Sequence, residues 1–489
     1  MSEEKKKREV RKPTFGESII PILFMAVVLA IGKGLLQWPT EVCLLLSAAF
    51  AGIIAVVRLG YNWEMLEKCI VDKIAAVMPP VLIVIFVGFM IATWCFAGTL
   101  PMLVYYGMMF ISPQFILFIA FVATAILSYV SGASWGAAAS IGVALMGVGA
   151  GLDVPPAMTA AAVVTGAYFG DKLSPLSDTT NLAAAVTRVP LYDHIKYMLW
   201  TTVPSTVITL IFLLFLGFNL DTTGEISSES MVMLSQLDEL FRFGILPLIP
   251  MAVILLAIFL RQPTVPAMLI SSVAALLIGT FYQGLDFQQG LQSTMTGFNV
   301  SMLRTDTEAL LPNVTELLNR GGLSNNGSFL AFIFCAMGFA GIVTGTGMMD
   351  AAMGQLTNRI KSCGMAVLLA EIECIIINLL TGSDGLNKII TTELMMKKFL
   401  ELRVHPIVLC RSLEDSGTMT GPIIPWSAAG LYMATTLGVP TTEYLPYCVL
   451  CFCSLLFGVL YAFTGFKIVR ITDEEAHIMA AERGIVLDN

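Results

Sequence analysis

The feature that most restricts this chain is a succession of apolar runs, each able to form the core of a bilayer-spanning helix of about 20 residues. They lie at 19–31, 42–57, 81–97, 115–129, 208–218, 245–260, 266–280, 329–343, 365–380 and 448–463. Only 13% of the 489 residues are charged, against about 25% in soluble domains, so most of the chain meets a medium that cannot hydrate charge. With the less apolar segments between these cores, the pattern predicts an all-α integral membrane protein with roughly 10 to 13 embedded helices. Most of the ten cysteines lie inside apolar runs without histidine neighbours. They read as small hydrophobes, Cys448, Cys451 and Cys453 included, and no cofactor is expected.

Comparing the chain with itself shows a duplication. At an offset of 250, Gly88 meets Gly338, Gly132 meets Gly382, Pro156 meets Pro406, Pro175 meets Pro425 and Ser177 meets Ser427. Upstream the offset is 224, with Pro39-Thr40 on Pro263-Thr264 and Ser47 on Ser271. The difference, 250 − 224 = 26, implies an insertion in the second copy, placed in the polar stretch 301–326. A period this long means two copies of one bundle rather than a solenoid. The division is a basic tail (1–14), repeat one (15–220), a polar linker (221–239), repeat two (240–466) and a C-terminal tail (467–489).

Charge sets the expected orientation. Lys5, Lys6, Lys7, Arg8, Arg11 and Lys12 hold the N-terminus inside, and Lys467 with Arg470 does the same for the C-terminus. The linker carries Asp221, Glu225, Glu229, Asp238 and Glu239 with no base, which places it outside. Repeat one then crosses an odd number of times and repeat two is inverted, the plan of many secondary transporters. Lys397, Lys398 and Arg403 fit this topology less well.

Each repeat contains stretches that break the apolar rule. In repeat one they are Ser131-Gly-Ala-Ser134-Trp135 and Gly170-Asp171-Lys172-Leu-Ser174-Pro-Leu-Ser177-Asp178-Thr179-Thr-Asn181. In repeat two they are Thr381-Gly-Ser-Asp384-Gly and 412–422, with Arg411 just before, Glu414, Asp415 and Thr418 inside and Trp426 just after. A charge at the centre of a membrane helix costs about 2.5–3.5 kcal/mol on insertion scales, so embedded acids are functional candidates. Glycine and proline predict discontinuous helices, whose carbonyls, hydroxyls and carboxylates are hard oxygen ligands suited to Na⁺. On an ideal helix Asp171 and Asp178 would share a face about 10.5 Å apart, too far to grip one ion unless Pro175 breaks the helix. A solvated loop with an Asp171–Lys172 pair is the plainer reading of that segment, and the equivalent polar break in repeat two weighs against it. The acids themselves are not duplicated: Asp384 falls opposite Ser134, Asp415 opposite Thr165 and Asp171 opposite Gly421. One asymmetric site shared by both halves would look like this. Glu371 and Glu373, two apart, do not share a helix face; an interfacial place or a pair with Lys361 suits Glu371 as well as transport does.

The run 170–183, with the Ser131–Gly136 segment and 413–427, resembles the NhaC family of bacterial Na⁺/H⁺ antiporters over about 15–466. The resemblance implies a bacterial inner-membrane secondary antiporter, in a family that includes Na⁺/H⁺ exchangers and exchangers of malate with protons for lactate with Na⁺.

The expected mechanism is competition of Na⁺ and H⁺ for one midplane site. Asp171, Asp178, Asp384 and Asp415 bind either ion, with Ser134, Ser174, Ser177, Thr179, Thr418 and Asn181 completing the coordination and rocking of the halves exposing the site alternately. The alternative is a Na⁺- and H⁺-coupled carboxylate exchanger, in which Lys172, Lys388 or Arg411 meets the anion; Trp135 and Trp426 are candidate gates. The expected partners are the lipid bilayer, Na⁺, H⁺ and, on the alternative, small carboxylates. A homo-oligomer is left open and no nucleic acid is expected. An enzyme is disfavoured, since neither break contains histidine and no His-Glu-x-x-His or Gly-x-Ser-x-Gly motif occurs.

Overall fold

The computed structural model describes residues 10–29, 31–32, 36, 38–220, 228–260, 262–303, 310–324, 327–353 and 360–487. Among them no strand forms, beyond one isolated bridge pairing Val404 with Arg470. The first half comprises α1 (Phe15–Val28), α2 (Thr40–Leu59), α3 (Trp63–Phe96), α4 (Thr99–Phe110), α5 (Ile116–Ser131), α6 (Ser134–Gly151), α7 (Pro156–Leu173), α8 (Asp178–Thr187) and α9 (Leu191–Phe218). The second comprises α10 (Ser228–Leu240), α11 (Ile249–Phe259), α12 (Thr264–Phe281), α13 (Phe287–Thr296), α14 (Pro312–Leu318), α15 (Gly327–Gly345), α16 (Met348–Met353), α17 (Cys363–Thr381), α18 (Asp384–Glu401) and α19 (Pro406–Ser412). A widened π turn over Leu413–Thr418 continues α19, followed by α20 (Ala428–Leu437), α21 (Thr441–Tyr447), α22 (Val449–Thr464) and α23 (Asp473–Glu482). Six of the described helices are long and apolar enough to cross a bilayer, or eight if each of two pairs bent by 73° and 57° is one span, and three more are shorter and apolar.

Local structure repeats at the offsets of the sequence. Helices α6 and α18 both begin just after a left-handed glycine, Gly132 at φ +67° and Gly382 at φ +61°. Ser177 and Ser427 cap α8 and α20, accepting from Thr180 N and Gly430 N. Asp153 and Arg403 both adopt positive φ, 57° and 56°. Asn62 and Asp286, 224 apart, cap α3 and α13 through Met65 N and Gln289 N. The two copies diverge beyond that point. Helix α3 runs 34 residues without interruption, whereas its counterpart is split into α13 and α15 by residues 297–326, which carry α14. The inter-repeat stretch is more ordered than a polar linker: 228–240 is helical, with Met233 and Leu237 one turn apart and buried. Residues 221–227 lie outside the described residues.

The pairs α5–α6 and α17–α18 are re-entrant hairpins that open on opposite faces. Helix α9, about 42 Å long at 1.5 Å per residue, provides the ruler. At its C-terminal end Gly217 packs on the Gln114 carbonyl just before α5, and Gly151 at the end of α6 packs on Met108 and accepts from Ser230 Oγ at 2.6 Å. At its N-terminal end Arg188 donates to Glu482 O at 2.6 Å and Tyr197 to Lys467 O at 2.5 Å. The open end of α17–α18 lies on that second face, with Gly364 against Phe463 and Ile471 N donating to Arg403 O at 3.1 Å. The repeats are therefore inverted. Because α17–α18 returns to the face it entered from, Arg403 lies beside Asp473 of the C-terminal tail, and the sequence-based misfit of this basic cluster disappears.

Candidate functional site

The breaks predicted between α7 and α8 form for local reasons. Ser174 is extended (ψ 128°), as the residue before a proline prefers, and Pro175 has no N–H to continue the helix. The side chains of the break then satisfy its backbone. Ser174 Oγ accepts from Leu176 N at 3.2 Å, Thr180 Oγ1 donates to Lys172 O at 3.0 Å, and Asn181 Nδ2 donates to Ser177 O at 2.7 Å and Pro175 O at 3.0 Å. Ser174 and Asn181 thus hold the break together. Ser177 Oγ caps α8 and pairs with Thr179 Oγ1 at 3.0 Å.

Three half-helix N-termini, those of α6, α8 and α18, converge on a cavity of about 330 Å³ lined by Ser134, Trp135, Tyr168, Asp171, Asp178, Thr179 and Asp384. Ser134 Oγ donates to Asp171 Oδ2 at 2.8 Å. The other oxygen, Asp171 Oδ1, and Asp384 Oδ1 are enclosed without a hydrogen-bond partner. Gly421 leaves room for the Asp384 carboxylate, which any side chain there would strike. Asp178 is exposed and stands where this cavity meets a second of about 250 Å³ reaching Gln262 and Thr264. Trp135 stacks on Tyr432 at 4.3 Å. Trp426 instead donates its indole N–H to Leu379 O at 2.6 Å, bracing the second hairpin tip.

Asp415 does not join this cavity. It belongs to a second buried cluster, where its Oδ1 receives Lys172 Nζ at 2.5 Å, Thr201 Oγ1 at 2.9 Å and Ser454 Oγ at 2.9 Å. Arg411 Nε is 3.4 Å from Asp415 Oδ2, and its guanidinium covers the Tyr197 ring at 4.8 Å. Its neighbour Glu414 turns the other way, taking Thr418 Oγ1 at 2.9 Å and lying 3.7 Å from Lys388 Nζ. Successive helical residues diverge by about 100°, so Asp171 faces the cavity while Lys172 faces Asp415, and Glu414 faces Lys388 while Asp415 faces Lys172. Thr418 therefore serves Glu414, and Lys172, Lys388 and Arg411 each sit against an acid.

Sequence reasoning passed over Glu414, Thr201, Ser454 and Asn387; Asn378, which the sequence placed on a polar stripe seven residues after Glu371, pairs with Asn387 and donates its Nδ2 to Gly417 O at 2.7 Å. Glu414 carried a visible signal, an acid in the same polar break. Thr201 and Ser454 carried none, because lone hydroxyls are ordinary in membrane helices. The acids reach Glu371 as well: it is buried, and among the described residues it makes no ion pair with Lys361.

Inverted repeats with broken helices and charged side chains between them define a secondary transporter. The model of the Na⁺/H⁺ antiporter family matches residues 166–466, and the chain belongs to that family. It is 38% identical to an uncharacterised Na⁺/H⁺ antiporter of Haemophilus influenzae, over 94% of this chain and 98% of that one. It is 33% identical to the Na⁺/H⁺ antiporter NhaC of Alkalihalophilus pseudofirmus, over 93% and 96%. It is also 32% identical to a malate-2H⁺/Na⁺-lactate antiporter of Bacillus subtilis, over 94% and 96%.

Proposed function

We propose that this protein exchanges Na⁺ for H⁺ across the bacterial inner membrane, using the Asp171–Asp384 cavity as the shared site and no cofactor. The observation that carries this reading is the pair of unpartnered carboxylate oxygens, Asp171 Oδ1 and Asp384 Oδ1, beside the Ser134 hydroxyl. Among the described residues, Asp171, Asp178 and Asp384 line the cavity and no base does, so it has negative charge to neutralise, with a cation or with protons. Lys172, Lys388 and Arg411 each lie within ion-pair distance of an acid, which weighs against their holding an organic anion. Binding of either ion excludes the other, and inverted hairpins that open on opposite faces supply the two routes of access. The face carrying Arg188, Arg403, Lys467, Arg470 and Arg483 is the cytoplasmic one by the positive-inside rule, which puts the C-terminal tail inside, and the same rule applied to the basic residues before the first span puts the N-terminus inside.

One observation favours carboxylate exchange instead: three positive helix ends point into the same cavity, a geometry that suits an anion. Purified protein in proteoliposomes with an internal pH dye separates the two readings. Proton movement on adding Na⁺ alone, lost in Asp171→Asn and in Asp384→Asn, supports Na⁺/H⁺ exchange. Movement only when malate or lactate accompanies Na⁺ overturns it in favour of the carboxylate reading.

A further inference from the structure

Glu371 of α17 is buried, and its Oε1 has no hydrogen-bond partner. That oxygen lies where a side chain on Gly458 of α22 would begin. The same point is 3.4 Å from Asp415 Oδ2, which also lacks a hydrogen bond. Two free carboxylate oxygens thus share the space left by one glycine. The charged groups facing Glu371 are Asp415 and Arg411 from 406–418 and Lys172 from α7. From α9 and α22 come Thr201 and Ser454, both already on Asp415, while Lys388 of α18 is set against Glu414. All three nitrogens of the buried Arg411 guanidinium lack a hydrogen bond.

We propose that Glu371 is a proton-binding residue that responds to cation occupancy without touching the cation, acting through Asp415 and Lys172. This deepens the reading of the cavity as a Na⁺/H⁺ site and rests on it. With Glu371 protonated, its O–H bridges to Asp415 Oδ2, and the cluster of Lys172, Arg411, Asp415 and Glu371 carries one net positive charge. With the proton released to water, the cluster is neutral and Arg411 gains a second carboxylate. Lys172 is the covalent neighbour of Asp171, so the positive surplus opposes a cation in the cavity and its removal favours one. Proton at Glu371 and Na⁺ at Asp171 therefore exclude each other by linkage. Glu371 is a positioning residue, distinct from the acids that touch the ion.

The test is the apparent KM for Na⁺ in proteoliposomes, measured across pH for the wild-type protein, Glu371→Gln, Glu371→Asp and Gly458→Ala. Each proton displaced per cation changes apparent affinity about tenfold per pH unit. Glu371→Gln, fixed in the neutral form, should flatten the slope of log KM against pH by about one and raise KM at alkaline pH. Glu371→Asp should restore the slope. Gly458→Ala keeps both carboxyl groups but pushes them apart, and should move the midpoint of the profile while preserving its slope. A wild-type slope in a folded Glu371→Gln protein, or an unmoved midpoint in Gly458→Ala, overturns the proposal; should Glu371→Gln fail to fold, Gly458→Ala decides. Failure of the underlying reading looks different, because the wild-type protein would then move no protons with Na⁺.

Discussion

The two repeats share a backbone and divide the chemistry unequally. In repeat one the helices that meet at the centre are packed through small residues: Gly166 and Gly170 of α7 lie against the backbone carbonyls of Phe121 and Ala125 in α5. The equivalents in repeat two, 250 further on, are Ser416 and Thr420, whose hydroxyls bond Ser412 O and Ser416 O at 2.6 Å. Where repeat one has Phe121, Ala138, Ala161, Val164 and Thr165, repeat two has Glu371, Lys388, Arg411, Glu414 and Asp415. One copy supplies a close-packed frame that contributes Asp171 and Lys172 at a single break. The other opens the helix equivalent to α7 into a π turn, a distortion often found at functional sites, and fills the space with charge; the π segment of repeat one, Ala138–Gly142, lies in α6 instead. Duplication fixed the scaffold, and asymmetry made one site from two.

The largest effect should come from breaking the ion pair that joins the halves. Lys172→Ala leaves Asp415 buried with Arg411 as its only base, and removing one partner of a buried pair costs about 3–5 kcal/mol. Thermal unfolding in detergent should show this as a sharply lowered midpoint. Replacing the whole charged group, Lys172→Met with Asp415→Leu and Arg411→Met, should recover much of that stability while exchange stays lost. Equal damage from the single and combined replacements would mean that this group is not the joint between repeats.

Next in size is the contrast between the frames. Gly166→Ser forces a side chain into the α5 backbone, and overpacking of this kind costs about 1–3 kcal/mol. Its mirror, Ser416→Gly, removes a hydroxyl from a position that already holds one, and should cost less. The same unfolding assay ranks the two. A larger loss from Ser416→Gly would reverse the assignment of frame and site.

Much of this architecture was legible before any coordinates, and the residues show where legibility ended. The offsets of 250 and 224 name the equivalent caps, because proline, glycine and serine mark helix ends through local chemistry. The break at Pro175 follows from one residue. The hairpins were not legible: 363–381 is long and apolar enough for a crossing, and only its contacts show that the chain turns back. Nor was the partnership of Lys172 with Asp415, 243 residues apart, since nothing local selects it. The helical phase of Glu414 and Asp415 depends on the π turn, so the sequence could not say which acid meets Lys172 and which meets Lys388.

A smaller effect, about 1 kcal/mol of stability for lost side-chain hydrogen bonds, is expected of Asn181→Ala. Its amide closes the break by donating to Pro175 O and Ser177 O. Unfolding should shift modestly while the apparent KM for Na⁺ stays close to wild type. A rise in KM as large as that of an Asp171 variant would return Asn181 to the ion.

The smallest effect belongs to Asp178, and it separates the interior of the site from its mouth. Asp171 and Asp178 are both in the motif, yet one is enclosed and hydrogen-bonded to Ser134 while the other is exposed at the first turn of α8. An exposed carboxylate acts on an approaching cation through water, where a unit charge at 4 Å is worth only about 1 kcal/mol. Asp178→Asn should therefore raise the apparent KM for Na⁺ by no more than about fivefold, which is that energy expressed as an affinity ratio, and leave the maximal rate unchanged. Because the Debye length shrinks from about 10 Å at 0.1 M salt to about 3 Å at 1 M, the difference from wild type should fade when choline chloride is added. A difference that survives high salt, or one that lowers the maximal rate, would mean that Asp178 enters the coordination shell during the cycle and that the mouth and the interior are one site.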